Sequence, residues 1–454
     1  MSATVTRVEE TVLRKYGDFR NGAGPMWCFG SHTVVRSGDT VYASTVDVEP
    51  EARPLCNLRW QLWQRQDGGS WGKIAEQQKA GEREPCPIAL GPGGTLLLSA
   101  NTAVTPSHDN GDGTTGFHCV PQLLSFEVAG GFCAERNVII PQWNAEYPFS
   151  EHSYRGFSSD ASGNVFLTHQ ASDGSEYGQA WCYRTSEGDW VAAGFLRFPM
   201  RGCYPAAAVN GKAVAVLAIS DEIEPNEEWR SFKKEKTGRD WDYDFRQLFF
   251  TWTPDVTAVP FSVPLTIASV DETCGVITHT DLLVTPDGDV HVLYIERNVY
   301  HDFVRERFFP DLPLSVSLKY VRLRRGRVVE RRILCKSCEK FDNTRAETAV
   351  KMGAPVPTWA VFHATGDGRV FLVWNQTDNV ASQNGMFLRQ IIPQWDTTAI
   401  SLPVRTPLTQ FFAASTRAGC LPDNRLDLYG TAPGEQVIRT IHCVVETDQA
   451  EVTR

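Results

Sequence analysis

The chain has 454 residues, of which 42% are hydrophobic and 22% are charged, and its formal net charge is −10. This composition is typical of a water-soluble protein with a core, and the negative charge argues against a nucleic-acid-binding surface. No run of about 18 apolar residues occurs, which argues against a membrane-spanning helix. Residues 1–20 lack the apolar stretch of a secretory signal, so we expect a cytoplasmic protein whose 12 cysteines are reduced and mostly buried.

A hairpin of alternating apolar residues around a turn glycine recurs along the chain. Most hairpins are followed by two further alternating runs, and the N-terminal run Val5–Leu13 is available as the outer strand of the last unit. The pattern predicts an all-β fold, a seven-bladed β-propeller with four antiparallel strands per blade, as one domain over 1–454. Two β-sandwiches are the alternative. The predicted turns lie at Gly38, Gly94, Gly163, Gly211, Gly288 and Gly368, with a degenerate seventh near Asn424.

Long connections separate the second and third strands of several units, at 101–120, 221–246, 297–317 and 375–385. In an up-and-down blade these connections all emerge on one face, where long loops on a rigid scaffold build binding sites. The segment Asn226–Gly238 is charged and free of internal proline, so we predict a short helix there.

The hairpin around Gly163 gives the strongest candidate site, because its first strand is predicted to start at His152 and its second to end at His169. An antiparallel hairpin brings those ends to one edge, so we expect the two imidazoles to be neighbours. The same edges of the other units are predicted to line the rim of the central channel. The further rim candidates are His32, Glu84, Asn101, Tyr154, Arg155, Tyr204, Asp221, His279, Asp281, Glu296, Trp359 and Asn375.

Each rim candidate also has a structural interpretation. His32 and Asn375 are compatible with strand or loop caps, Glu84 with an ion pair to Arg83 or Arg155, and His152 with a structural pair to His169. Asp281 and Glu296 are typical of loop-pinning acceptors, and Trp359 of a core aromatic residue. Together the set can hold a polar ligand, transfer protons and stack on a sugar ring.

Two further patterns carry weaker signals. Cys335-Lys-Ser-Cys338 has metal-ligand spacing, but no second such pair occurs, and the pair falls at the end of an outer strand. The arginines between 322 and 332 alternate across a hairpin, which favours a solvated surface. We therefore predict no required cofactor, and a structural divalent cation stays open.

At the repeated hairpins and at His152-Ser-Tyr-Arg-Gly, His169 and Gly202-Cys-Tyr204-Pro, the sequence resembles BNR-repeat propellers and, within them, polysaccharide lyases of the ulvan-lyase type. The resemblance implies β-elimination beside a uronic acid, with His152 and Tyr204 as the acid/base pair and His169 fixing one of them. The lyases place an arginine where this chain has Ser220-Asp221. Arg155 or Arg201 could take its place, and Arg155 is our candidate for neutralising the carboxylate.

The resemblance therefore implies an oligosaccharide-cleaving lyase acting without nucleic-acid or membrane partners. The remaining rim residues, Glu84, Asn101, Tyr154, Asp221, His279, Asp281, Glu296 and Trp359, would contact the substrate. Two alternatives stay open. One is a sialidase- or rhamnosidase-like hydrolase, which needs carboxylates or a carboxylate-activated tyrosine flanking the glycosidic bond. The other is a propeller that binds glycan or protein without catalysis.

Overall fold

Seven four-stranded antiparallel sheets make up the protein, which is a seven-bladed β-propeller, as the hairpin repeat predicts. The computed structural model describes residues 3–28, 30–129, 132–133, 137–239, 243–338, 355–377, 384–396 and 398–447. In every blade, hydrogen bonding runs in sequence order from an inner to an outer strand, except that the N-terminal strand is the outer strand of blade 7.

The strands of the first four blades are given from inside to outside. Blade 1 comprises Val34–Ser37, Thr40–Val48, Leu58–Gln66 and Gly72–Glu76, and blade 2 comprises Ile88–Leu90, Leu96–Asp109, Thr115–Phe126 and Asn137–Ile139. Blade 3 comprises Gly156–Ser159, Val165–Ser172, Tyr177–Arg184 and Trp190–Leu196, and blade 4 comprises Gly202–Asn210, Ala213–Ser220, Gln247–Thr253 and Leu265–Ser269.

The remaining blades follow the same order. Blade 5 comprises Val276–Val284, Val290–Arg297, Ser315–Arg324 and Arg327–Cys338, and blade 6 comprises Val356–Ala364, Val370–Thr377, Asn384–Ile392 and Ile400–Leu402. Blade 7 comprises Gln410–Ala413, Arg425–Thr431, Val437–Thr447 and Ala3–Lys15. The short elements are two-stranded ladders at Val128–Ala129 with Phe132–Cys133 and Glu222–Ile223 with Tyr243–Asp244, and 3-10 turns at Pro92–Gly94 and Asp271–Thr273.

The inner strands are buried on both faces, because each blade packs between two others. All but the last residue of Val165–Ser172 are buried, although the side chains alternate in direction. We call the face from which the second-to-third-strand connections emerge the upper face, and the face of the first turns the lower face.

Two helices lie in the upper-face connections. Helix α1 (Glu227–Thr237) confirms the predicted helix, with the Asn226 side chain accepting a hydrogen bond from the Trp229 amide at 3.1 Å and Gly238 ending it at φ +71°. Helix α2 (Asp302–Phe308) lies in the blade 5 connection. The predicted loops 221–246 and 297–317 follow the second strands of blades 4 and 5, and part of loop 375–385 lies outside the described residues. The prediction of a loop at 101–120 is wrong, because the second and third strands of blade 2 pair as far as Asp109 and Thr115 and only 110–114 connects them.

The N-terminal strand closes the ring by pairing antiparallel with Val437–Thr447, as predicted. A buried ion pair adds a second link between the first and last blades: Arg36 donates to Asp427 from Nε at 2.5 Å and from Nη2 at 2.8 Å. His442 contributes a further hydrogen bond to Asp427 at 2.7 Å.

Blade 7 departs from the prediction of a turn near Asn424, because its first two strands are joined by the long connection 414–424. Residues 414–420 of this connection, here called the plug, extend to the centre of the ring. The Arg417 guanidinium, which is buried, donates to the carbonyl oxygens of Gly30 at 2.5 Å and Ala207 at 3.1 Å and to the Asp281 carboxylate at 3.0 Å. The backbone carbonyl of Arg417 accepts a hydrogen bond from Ser158 Oγ at 2.7 Å. The plug therefore ties blades 3, 4 and 5 to the segment before blade 1.

Candidate active site

The His152 side chain lies on the upper face and is about one-third exposed (36%). The prediction that His152 starts a strand is wrong. The first strand of blade 3 begins only at Gly156, and Tyr154, which lies between the two residues, has φ +33°. A residue with positive φ interrupts the regular extended backbone. His152 instead belongs to the connection that enters blade 3 from blade 2.

A buried carboxylate holds the His152 ring. His152 Nδ1 lies 3.1 Å from Glu151 Oε1, and the Phe117 amide donates to the other oxygen at 2.9 Å. Burial acts to raise the pKa of Glu151, but these hydrogen bonds outweigh it and lower the pKa to about 2. The ionised carboxylate therefore favours the tautomer with the proton on Nδ1, which leaves Nε2 as an acceptor. Glu151 was not predicted as a site residue.

Two tyrosines lie beside His152. The Tyr154 ring centre is 5.9 Å from that of His152 and 4.7 Å from that of Tyr204, in an edge-to-face contact. Tyr204 has φ +48° and lies at a bulge in the inner strand of blade 4, which turns its side chain out of the regular alternation. Burial, with the neighbouring Tyr154 next in effect, raises the pKa of Tyr204, so its phenol keeps its proton.

Arg201 and Asp221 form an ion pair at the upper ends of the first two strands of blade 4. Arg201 Nη2 is 3.1 Å from Asp221 Oδ2, and the guanidinium carbon lies 5.4 Å from the ring centres of both Tyr177 and Tyr243. The Arg201 side chain is 27% exposed, whereas Asp221 is buried. Burial raises the pKa of Asp221, and the charge of Arg201 opposes that rise.

A buried polar layer lies beneath this cluster. Glu84 Oε2 accepts a hydrogen bond from Ser153 Oγ at 2.7 Å, and the Asn101 side chain donates to the Ser150 carbonyl at 2.8 Å. Glu84 Oε1 and Asn101 Oδ1 are buried without a hydrogen-bond donor. Unsatisfied buried acceptors of this kind favour bound water or ligand nearby.

Arg155 lies in the same layer and is only 4% exposed. It donates to the Pro85 carbonyl at 2.8 Å and to Ser153 Oγ at 3.2 Å. Burial acts to lower the pKa of Arg155, but Cys86 and the carboxyl groups of Glu82 and Glu84 outweigh it and raise the pKa. The structure therefore places Arg155 below the rim, among partners of its own.

The prediction that His169 ends its strand is also wrong, because His169 lies in the middle of Val165–Ser172. Its side chain is fully buried, with ring centres 5.8 Å from those of Trp143 and Phe149, and in the described part of the structure it makes no ring contact with His152. Burial, helped by the charge of Arg155, lowers the pKa of His169 well below its usual value. The ring is therefore neutral and separated from solvent by aromatic side chains.

Four other predicted residues lie away from this cluster. His279 is buried and donates from Nε2 to the Tyr204 carbonyl, and burial lowers its pKa to about 4. Asp281 binds Arg417 of the plug. Glu296 contacts Lys319 Nζ at 2.5 Å in a groove between the outer parts of blades 4 and 5. Trp359 is buried in the core of blades 6 and 7, with its ring centre 6.4 Å from that of Phe412.

Two minor rim candidates are likewise internal. His32 is buried, and Asn375 is buried with hydrogen bonds to Thr358 at 2.7 Å and Asn384 at 2.6 Å, which fits its interpretation as a loop cap.

The structure also bears on metal, redox and membrane expectations. Within the residues it describes, no group of three or more His, Cys, Asp or Glu side chains is placed to hold a metal ion. Cys335 and Cys338 fall on the outer strand of blade 5, and the other nine cysteines whose side chains the structure describes are buried; these eleven are free thiols. None of the described helices has the length and apolar character needed to cross a membrane.

Comparisons with known proteins bear on the fold. No family model matches the chain, and no curated protein matches it either. Among solved structures, the polysaccharide lyase Uly1 superposes with a TM-score of 0.53 at 11% identity, covering 92% of this chain and 90% of that chain. A protein of unknown function from Dyadobacter fermentans gives 0.45 at 12% identity, covering 97% and 99%. An α-L-arabinanase from Penicillium chrysogenum, complexed with arabinobiose, gives 0.41 at 13% identity, covering 79% and 92%. At 11% identity, the similarity to Uly1 shows a shared fold.

Proposed function

We propose that the protein is a carbohydrate-active enzyme that cleaves a uronic-acid-containing oligosaccharide by β-elimination at the upper face of blades 3 and 4. The observation that carries the proposal is the partly exposed His152, whose Nδ1 is held by the buried Glu151 carboxylate beside two protonated tyrosines. A solved polysaccharide lyase with the same fold supports the substrate class.

The proposed reaction assigns one task to each side chain. His152 Nε2 removes the proton from the carbon next to the uronate carboxylate, and the electron pair left behind forms a carbon–carbon double bond. The glycosidic carbon–oxygen bond breaks, and the Tyr204 phenol gives its proton to the leaving oxygen. The products are an unsaturated uronate and a new sugar hydroxyl, and no other reactant is consumed.

The substrate carboxylate needs a cation, because the carbanion formed beside it spreads its charge onto the carboxylate oxygens. Arg201 is our candidate for this role, since it is partly exposed and its positive charge faces Tyr154 and Asp221. Arg155, the other arginine of the prediction, is held by the Pro85 carbonyl below the rim. His169 would act only indirectly, by packing the base of the site.

A hydrolase remains the second candidate, but the positions of the carboxylates weaken it. Asp281 is bound to the plug and Glu296 to Lys319, so two of the four predicted carboxylates are away from the rim. Glu84 and Asp221 remain, both buried and each with a partner. A pair of carboxyl groups facing one glycosidic bond would be needed instead.

Ultraviolet absorbance of the unsaturated product tests the proposal, since hydrolysis does not create that double bond. We expect acidic oligosaccharides to give the absorbance and Tyr204→Phe to reduce the rate by about 10²–10⁴-fold, as loss of a general acid does. Tyr183→Phe is the matched control, because Tyr183 is also buried but donates to the Gly211 carbonyl at the lower face.

Other outcomes of this assay would contradict the lyase. New reducing ends without absorbance would identify a hydrolase and move the catalytic roles to Glu84 and Asp221. Glycan binding without any cleavage would identify a binding protein.

A further inference from the structure

A cleft of about 810 Å³ opens on the lower face, on the opposite side of the ring from the proposed active site. It runs from the plug, where Arg417 and Val209 border it, outward between blades 5 and 6. Its volume lies in the range of about 300–1,000 Å³ that small-molecule sites occupy. We call it the lower cleft.

The interior of the lower cleft is apolar. Leu283 of blade 5 and Val370 and Ile391 of blade 6 line it, and all three belong to the core between these blades. Displacement of water from such a surface favours binding of a ligand with an apolar or flat face.

Arginines from the outer half of blade 5 dominate one wall. Arg324 contacts both oxygens of Asp289, at 2.7 and 2.8 Å. Arg322 shares Asp289 at 2.8 Å and Glu330 at 3.1 Å, and Arg332 also binds Glu330. These three guanidinium groups face Asp289, Glu330 and also Asp287, which lines the cleft near Arg324, and over the whole lining five arginines face four carboxylates. Each guanidinium also carries five N–H groups, more than these contacts use.

An aromatic pair stands at the same end. The Trp395 ring centre lies 5.0 Å from that of Tyr320 in an edge-to-face contact, and the Arg332 guanidinium carbon lies 4.6 Å from the Trp395 ring centre. The Tyr320 hydroxyl is 2.8 Å from Nδ1 of the buried His291, which also lines the cleft. Arginine and aromatic side chains placed together in this way bind ring compounds that carry a negative charge.

We propose that the lower cleft is a second binding site, separate from the upper face, for a small ring compound bearing a carboxylate or a phosphate. The ring would pack on the apolar interior and the aromatic pair, and the acid group would contact Arg332 and Arg324. The protein as a whole carries a net charge of −10, so this local excess of arginine is not a property of the surface in general. Two sources share this chemistry, an acidic sugar and a nucleotide.

Calorimetric titration of the full chain with digalacturonic acid and, separately, with adenosine monophosphate tests the site. We expect saturable binding of one or both in the micromolar to millimolar range, weakened by salt because the contact is between charges. Arg332→Gln should weaken it about tenfold, the size expected for a lost cation–aromatic and charge contact. Binding of only one probe would identify the source of the ligand.

Two controls keep the test decisive. Arg327→Gln removes the same charge from the same strand at an exposed position outside the cleft, and should leave the affinity unchanged. Tyr204→Phe should also leave it unchanged, which separates this site from the proposed active site. Absence of saturable binding by both probes, equal weakening by Arg332→Gln and Arg327→Gln, or loss of binding in Tyr204→Phe would each overturn the proposal.

Discussion

Two buried carboxylates, Asp281 of blade 5 beside the plug and Glu84 below the upper rim, have very different hydrogen-bond partners. Asp281 accepts hydrogen bonds from Arg417 at 3.0 Å and from the amides of Leu282 and Phe362 at 2.8 Å, so both of its oxygens are occupied. Glu84 accepts only from Ser153, and its second oxygen is buried without a donor.

The contrast is clearest at the charged groups themselves. Arg417 donates to Gly30, Ala207 and Asp281, and only its Nε–H group lacks an acceptor among the described residues, whereas the second oxygen of Glu84 has no donor there. A nearly complete hydrogen-bond network stabilises a single structure, while an incomplete one leaves places for water or a ligand. We infer that the plug has a structural role and that the functional site lies at the upper rim of blades 3 and 4.

The largest effect on stability is expected at the plug. Arg417→Met leaves the Asp281 carboxylate buried without its cation, and breaking a buried ion pair on one side typically costs about 3–5 kcal/mol. Chemical denaturation would measure the loss. The double variant Arg417→Met with Asp281→Asn should recover part of it, and a single variant as stable as the wild type would contradict a structural plug.

A smaller effect is expected at the rim, and mainly on activity. Arg201→Gln should lower kcat/KM about 10–100-fold by removing the cation that faces the substrate carboxylate, and should lower the denaturation midpoint less than Arg417→Met does, because Arg201 is partly exposed. Arg197→Gln is the matched control, because Arg197 is half-exposed and binds Asp173 at the side of blade 3. Equal kinetic losses in the two variants would argue against a specific role for Arg201.

The smallest expected effect is on stability at low pH. It concerns the hydrogen-bond network of Asp427, Arg36 and His442 at the ring closure. Burial acts to raise the pKa of Asp427, but Arg36 and His442 outweigh it and lower the pKa to about 2. A carboxyl group with a lowered folded-state pKa stabilises the fold above its unfolded pKa of about 4, and this contribution is lost as the pH falls through 2.

The expected size of this pH-dependent contribution is on the order of 2 kcal/mol. The difference in unfolding free energy between the wild type and Asp427→Asn should therefore shrink between pH 5 and pH 2. A difference that stays constant over this range would contradict the lowered pKa.

The sequence predicts the ring well because its signal is repeated and local. Alternating runs around turn glycines give the seven sheets, and a free apolar strand at the N-terminus gives the closure with Val437–Thr447. The helix at Glu227–Thr237 follows from a charged segment without internal proline.

The site is predicted less well, for physical reasons. The alternation of side chains along an inner strand does not show which side chains face the channel and which face the next blade, because both sets are buried. His169 and Trp359 were predicted at the rim for this reason, and both are buried in the structure. The plug has no periodic pattern, and the partners of Arg417 come from distant parts of the chain. Glu151 immediately precedes His152 in sequence, and only the three-dimensional contact shows that it holds the ring.

The activity of folded enzyme molecules in two variants, His152→Gln and Asp281→Asn, tests the contrast most directly. Release of unsaturated uronate would be measured and divided by the folded fraction in the same sample. We predict that His152→Gln loses at least about 10²-fold with an unchanged denaturation midpoint, as expected for loss of a general base. Asp281→Asn should lower the midpoint but keep its activity per folded molecule. Full activity in His152→Gln would contradict the placement of the active site at the rim. Loss of activity per folded molecule in Asp281→Asn would contradict a purely structural role of the plug.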